Sequence, residues 1–210
     1  MSGLASLLDS DIGRQIIGGI SSETGTSEDK TSNLLGMALP LLTGAMKKNA
    51  TTPQGAEGLM NAINNKHDGS ILDNLGGFFG GGVDQSAISD GAGILSHVLG
   101  GNQPNVENAL SSKTGIDAGT VSQILKMAAP LILGYLGKQT KQSNVSDAND
   151  MSSLLGSMLG GQSQENQSLI TSLIDSDGDG SVLDDVADMV IGSNKKKGGI
   201  GGMLGNFFNS

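Results

Sequence analysis

The sequence predicts an all-α protein, on the evidence of its composition, its hydrophobic pattern and its glycines. Aromatic residues make up 2% of the 210 residues and tryptophan is absent, so a core must be built from Leu, Ile, Met, Val and Ala, which favours packed helices. Apolar runs that alternate with polar residues, the mark of a β-strand, are absent. Glycine occurs 34 times, and pairs such as Gly100-Gly101 are typical of breaks between helices.

The second half of the chain repeats the first. Residues 20–49 align with residues 110–139, and Pro40 and Pro130 occupy the same position at a separation of 90 residues. A duplicated multi-helix unit is the simplest explanation. We therefore expect two related units packed around one shared Leu/Ile/Met/Ala core.

The repeat sets the expected domain boundary. The first helical unit is predicted over residues 1–89 and the second over residues 90–210. Gly69 and Gly180 lie 111 residues apart, so the second copy carries 21 additional residues, which we assign to the polar stretch 140–166.

Each unit is predicted to begin with a short helix followed by a long central one. The short helix ends near Ser21 or Ser111, and a Thr-Gly turn follows it. Ser27 and Asp117 are suited to N-cap the central helix. That helix is apolar nearly all round, as expected of a buried element. A proline inside it predicts a kink or a break into two helices.

The rest of each unit consists of a polar linker, another helix, a Gly-Asp loop and a closing helix. The other helix is predicted over Gln54–Asn64 in the first unit and over Glu165–Ile174 in the second. Serine is followed three residues later by aspartate in both loops, from Ser70 to Asp73 and from Ser181 to Asp184. This spacing predicts a capping box at the start of the closing helix.

The loop of the second unit, residues 175–186, resembles an EF-hand calcium loop. It reads DSDGDGSVLDDV, with acids at positions one, three and five, glycine at six and an apolar residue at eight. Val186 stands at position twelve, where the pattern has a bidentate glutamate, so a neighbouring aspartate must complete the coordination and we expect a weak or atypical site. The predicted ligands are Asp175, Asp177, Asp179, the carbonyl oxygen of Ser181, and Asp184 or Asp185.

A solvated acidic turn without metal is the alternative for this loop. Three alternating acids repel one another unless a cation or solvent relieves the repulsion, which favours the calcium site. The first unit's loop, residues 64–75, reads NNKHDGSILDNL, and Lys66 at position three would place a positive charge among the ligands. We expect no metal there.

Composition also limits the function. A net charge of −9 argues against nucleic-acid binding, and the absence of cysteine excludes disulfides and thiolate sites. No zinc, phosphate-loop or nucleophile motif is present, so we expect a non-enzymatic protein with no catalytic residues. The N-terminus lacks the pattern of a secretory signal, and the longest apolar stretch, near residues 124–136, is too short to span a bilayer. We therefore expect a cytoplasmic protein.

The Gly-rich C-terminal tail, residues 195–210, supports an alternative function. Three lysines are followed by apolar residues that could form one face, namely Ile200, Met203, Leu204, Phe207 and Phe208. Such a face suits a membrane surface or the groove of a protein partner. The alternative is thus a metal-free scaffold that self-associates or contacts a membrane surface. Phe78-Phe79 echoes the last pair, so both pairs could instead pack into the core.

The two histidines have simple structural interpretations. His97 precedes Gly100-Gly101 and is expected in the last turn of a helix, where a partly positive imidazole is favourable. His67 is expected in a loop.

Three motifs together resemble a known family. They are GILSHVLGG at residues 93–101, the paired central helices with their TG turn and MA.P core, and GSVLDD at residues 180–185. From about Leu7 to Met189 the chain resembles the bacterial domain-of-unknown-function family number nine hundred and thirty-seven, related to the YidB-like proteins. The resemblance implies an all-helical bacterial protein without an assigned activity, and it supplies no catalytic residues.

Overall fold

The computed structural model describes residues 3–160 and residue 172. In this part of the chain all regular structure is helical, with nine α-helices and two short 3-10 helices, which confirms the predicted all-α class. The acidic loop 175–186 and the tail 195–210 lie outside the described residues, as does most of the helix predicted over Glu165–Ile174.

The helices follow one another with short connections. Residues up to position 79 form α1 (Gly3–Asp9), α2 (Asp11–Thr24), α3 (Glu28–Asn49), α4 (Pro53–Asn65), the 3-10 helix η1 (Ser70–Asp73) and α5 (Leu75–Phe79). Residues from position 85 onward form α6 (Gln85–Leu99), the 3-10 helix η2 (Gly100–Asn102), α7 (Gln103–Thr114), α8 (Ala118–Gln142) and α9 (Ala148–Leu159).

The predicted N-caps of both central helices are confirmed. The Ser27 side chain accepts a hydrogen bond from the Lys30 N–H at 3.4 Å, and the Asp117 carboxylate accepts one from the Thr120 N–H at 2.9 Å. The preceding helices α2 and α7 both end in a left-handed glycine, which closes their last turns. They extend about one turn beyond the predicted ends at Ser21 and Ser111.

Neither proline breaks its helix. Helix α3 runs continuously through Pro40 and α8 through Pro130, so, of the predicted kink or break, the break into two helices is wrong. Both prolines are buried, with apolar neighbours along the same helices. Residues 38–46 of α3 and 127–134 of α8 are buried on every side, and this burial offsets the loss of one backbone hydrogen bond.

The described helices enclose one hydrophobic core. The central helices α3 and α8 contact each other and supply most of its completely buried side chains. Apolar residues on both sides of position 90 belong to the same cluster. Phe78 and Phe79 pack against this cluster at its edge, edge to face with ring centroids 4.9 Å apart. The core interpretation of that pair is therefore confirmed.

Among the described helices, none by itself has the length and apolar character needed to cross a membrane. The segment Gln85–Thr114 reaches that threshold only together with α8, and the two are bent by 111° relative to each other.

Candidate functional site: the loop between α4 and α5

The loop that follows α4 contains the residues that align with the acidic loop. The Lys66 N–H donates to the Ala62 carbonyl oxygen at 3.1 Å, and the His67 N–H donates to the carbonyl oxygens of Ala62 and Ile63. The chain then turns at Gly69, whose φ is 100°. This left-handed conformation favours glycine, which explains the glycine at position six of the first loop.

The predicted capping box at Ser70 is not formed. Ser70 lies inside η1, and its N–H donates to the Asp68 carboxylate at 3.1 Å. An aspartate that precedes the donor by two residues closes such a turn by itself, so the serine hydroxyl is not needed as a cap. Helix α5 is capped instead by Asn74, whose side chain accepts from the Gly77 N–H at 3.1 Å.

Two lysines of α8 pair with the carboxylates of the loop. Lys141 Nζ lies 3.0 Å from Asp68 Oδ2, and Lys138 Nζ lies 2.5 Å from Asp73 Oδ1. The hydrogen bond from Lys141, followed by that from Ser70, holds the pKa of Asp68 well below its usual value. The two aspartates align with Asp179 and Asp184 of the acidic loop. In the first loop, then, ammonium groups neutralise the carboxylates.

Glycines allow the loop to lie directly on α8. A Cβ atom at Gly137 would overlap the His67 carbonyl oxygen, and one at Gly134 would lie 2.6 Å from the Ile71 Cγ2 atom. Any larger side chain at these positions would displace the loop. The surface that receives the loop is therefore formed by two glycines and two lysines of α8, all within residues 134–141.

His67 lies in the loop, as predicted, but its side chain is buried, with 5% of its surface exposed. Its Nε2 atom lies 3.3 Å from Asp90 Oδ2 on α6. Lys66 Nζ lies 4.0 Å from the other oxygen of the same carboxylate. Burial lowers the pKa of His67 below 6.5, Asp90 opposes this effect, and Lys66 lowers the pKa further.

His97 lies in the last turn of α6, as predicted, and is exposed. The Asn49 side chain donates to the carbonyl oxygens of His97 at 3.1 Å and Val98 at 3.2 Å. These bonds join the end of α3 to the end of α6 through the backbone. The imidazole of His97 takes no part in them.

No group of three or more His, Cys, Asp or Glu side chains in the described part of the chain is arranged to hold a metal ion. The predicted ligands Asp175, Asp177, Asp179, Ser181, Asp184 and Asp185 lie outside the described residues, so the calcium site stays a prediction. A cavity of about 20 Å³ lies between α1, α2, α3 and α8 and is lined by apolar side chains. It has room for roughly one water-sized molecule.

Comparison with protein families identifies the family to which the chain belongs. Residues 6–139 match the model of the family described as bacterial protein of unknown function (DUF937). The chain belongs to this family, the one that its motifs resemble. The match begins at α1 and ends within α8, before the acidic loop. No curated protein and no solved structure matches the chain.

Proposed function

We propose that this protein is a non-enzymatic scaffold that binds a calcium ion through the loop Asp175–Asp185. The contrast between the two aligned loops carries the proposal. The first loop contains Lys66 and receives two further lysines from α8, so its carboxylates have cationic partners. The second loop contains five aspartates and no basic residue. A divalent cation would relieve the repulsion among them.

The proposal also includes the duplication of the helical unit. The turns before the two central helices match in detail: Gly25 and Gly115 both have φ of 65°. Thr24 Oγ1 donates to the Ile20 carbonyl oxygen at 2.8 Å, and Thr114 Oγ1 donates to the Leu110 carbonyl oxygen at 2.7 Å. These pairs occur at the separation of 90 residues that the sequence alignment gives. Such agreement supports the transfer of the loop alignment from one half to the other.

Calcium prefers six to eight oxygen ligands in a flexible arrangement. Asp175, Asp177 and Asp179 supply carboxylates, Ser181 supplies its carbonyl oxygen, and Asp184 or Asp185 completes the set. Aspartate is one carbon shorter than the glutamate usual at the end of such loops, so we expect an affinity below that of buffer-type sites. The ion ties the two ends of the loop together and stabilises the second unit.

Calorimetric titration of the full chain with calcium tests this site. The double substitution Asp177→Asn with Asp179→Asn removes two charged ligands and is expected to abolish the binding heat. The matched control is Asp68→Asn, which removes the acid at position five of the first loop and should leave calcium binding unchanged. Equal binding by the wild type and the double variant would reject the proposed ligands.

A second candidate is a scaffold that contacts membrane surfaces or self-associates through residues 195–210. It is favoured by the three lysines that precede an apolar, glycine-rich segment. Deletion of residues 195–210 is then expected to abolish binding to anionic liposomes, or oligomers detected by light scattering. If the full chain shows neither property in the absence of calcium, this candidate is rejected.

A further inference from the structure

The loop that contains His67 is held between two helices. The side chain of His67 contacts Asp90 on α6, while its carbonyl oxygen lies against Gly137 on α8. Neighbouring Leu72 is also buried, with 5% of its surface exposed. One residue therefore connects the loop to both helices, and a change in its charge acts at the centre of the contact.

The charges around His67 balance only when its imidazole is neutral. The elements around His67 contain three lysine–aspartate pairs. Lys66, at the end of α4, lies near Asp90 on α6. Lys141 and Lys138 of α8 pair with Asp68 in the loop and Asp73 in η1, respectively. A proton on His67 adds a positive charge that has to share the Asp90 carboxylate with Lys66. A buried charge without a full partner is unfavourable.

We propose that the contact between His67 and Asp90 is an acid-sensitive latch. A neutral imidazole beside the Asp90 carboxylate keeps the loop, residues 66–73, in place between α6 and α8. Protonation of His67 at mildly acidic pH releases the loop from the two helices. The release exposes the glycine-lined surface of α8 and frees Lys138 and Lys141.

The direction of the effect follows from the lowered pKa of His67. The seated loop favours the neutral imidazole. The stability of the seated loop is therefore complete above pH 6.5, the ordinary pKa of histidine, and falls as the pH drops below that value. The fall ends once the pH is below the pKa of the seated state. Each unit by which the pKa of His67 differs between the seated and the released loop increases the ratio of released to seated loop about tenfold across this pH range.

Hydrogen exchange of the full chain at pH 7.5 and 5.5, corrected for the intrinsic rates, tests the latch. We expect the protection of amides in residues 66–75 to fall several-fold at the lower pH, while amides of α3 stay protected. In His67→Gln the side chain is neutral at both pH values, and we expect no fall. The control His97→Gln removes the exposed histidine of α6 and should behave like the wild type.

An equal fall in His67→Gln and in the wild type, or no fall in the wild type, would overturn the latch. Should His67→Gln fail to fold, the proton NMR titration of the unmodified chain decides. The sequence contains two histidines, so His97→Gln assigns both signals. We expect His67 to titrate below 6.5, and a titration at or above that value would equally overturn it.

Discussion

Lys141, near the end of α8, donates to the carboxylate of Asp68 at 3.0 Å, although the two residues are 73 positions apart in the sequence. Together with the contact of Lys138 with Asp73, this pair fastens the first loop to a helix of the second predicted unit. In the first loop, which aligns with the predicted calcium loop, protein side chains therefore supply the positive charges that face the aspartates.

Removal of Lys141 is expected to change how stability depends on acid. The pKa of Asp68 is lowered, chiefly by the hydrogen bond from Lys141. The ionised Asp68 therefore stabilises the fold above pH 3.8, the ordinary pKa of aspartate, and this stabilisation is lost as the pH falls below that value. In Lys141→Met the melting temperature should therefore fall less steeply between pH 4 and pH 2. Lys30→Met, at an exposed lysine in the first turn of α3, is the control and should keep the wild-type slope. A wild-type slope in Lys141→Met would show that the pair makes no such contribution.

Gly137→Ala is expected to destabilise the protein by about 1–3 kcal/mol, because the added Cβ overlaps the His67 carbonyl oxygen. The matched control is Gly58→Ala on α4, where an added Cβ meets no atom within 4 Å. This second substitution should stabilise the helix by roughly 0.5–1 kcal/mol. Urea unfolding of both variants measures the difference, and a neutral result at Gly137 would contradict the direct seating of the loop on α8.

Thr31→Val is expected to raise the free energy of unfolding by about 1 kcal/mol. The Thr31 hydroxyl is buried and has no hydrogen-bond partner among the described residues. In the sequence alignment of the two halves Val121 of α8 stands opposite Thr31, so we expect an apolar side chain to fit there. The control is Thr140→Val, since the buried Thr140 hydroxyl donates to the Gly137 carbonyl oxygen at 2.9 Å and its loss should not stabilise. A lower melting temperature for Thr31→Val would indicate that the hydroxyl has a partner.

The N-caps of the two central helices were predictable from the sequence. The N-caps at Ser27 and Asp117 depend on hydrogen bonds that reach only three residues along the chain, so a short pattern is enough to locate them. The continuity of the helices through Pro40 and Pro130 was not predictable, because it depends on burial by the other helices. Local propensity favours a break at these positions, and tertiary packing outweighs it.

The candidate site was only partly predictable, for the same reason. The sequence alignment correctly located the loop and its turn at Gly69. It could not show that His67 is buried or that α8 provides the lysines, since these partners are separated by many residues. The turn closed by Asp68 is local, since its partner Ser70 is two residues away, but the Ser-Asp spacing favoured a capping box instead. One signal was present on α8: Gly134 and Lys138 are four residues apart, as are Gly137 and Lys141, and the two pairs are offset by three residues, which places all four on one face.

Thermal melts of the full chain in EDTA, in magnesium and in millimolar calcium test most directly whether the second loop needs a cation where the first uses lysines. A site filled at about 100 times its dissociation constant adds roughly 2.7 kcal/mol to stability, a readily measured rise in melting temperature. We expect such a rise in calcium alone, and its loss in the double variant Asp177→Asn with Asp179→Asn. Equal melting temperatures in all three conditions would contradict the calcium site and favour a solvated acidic turn.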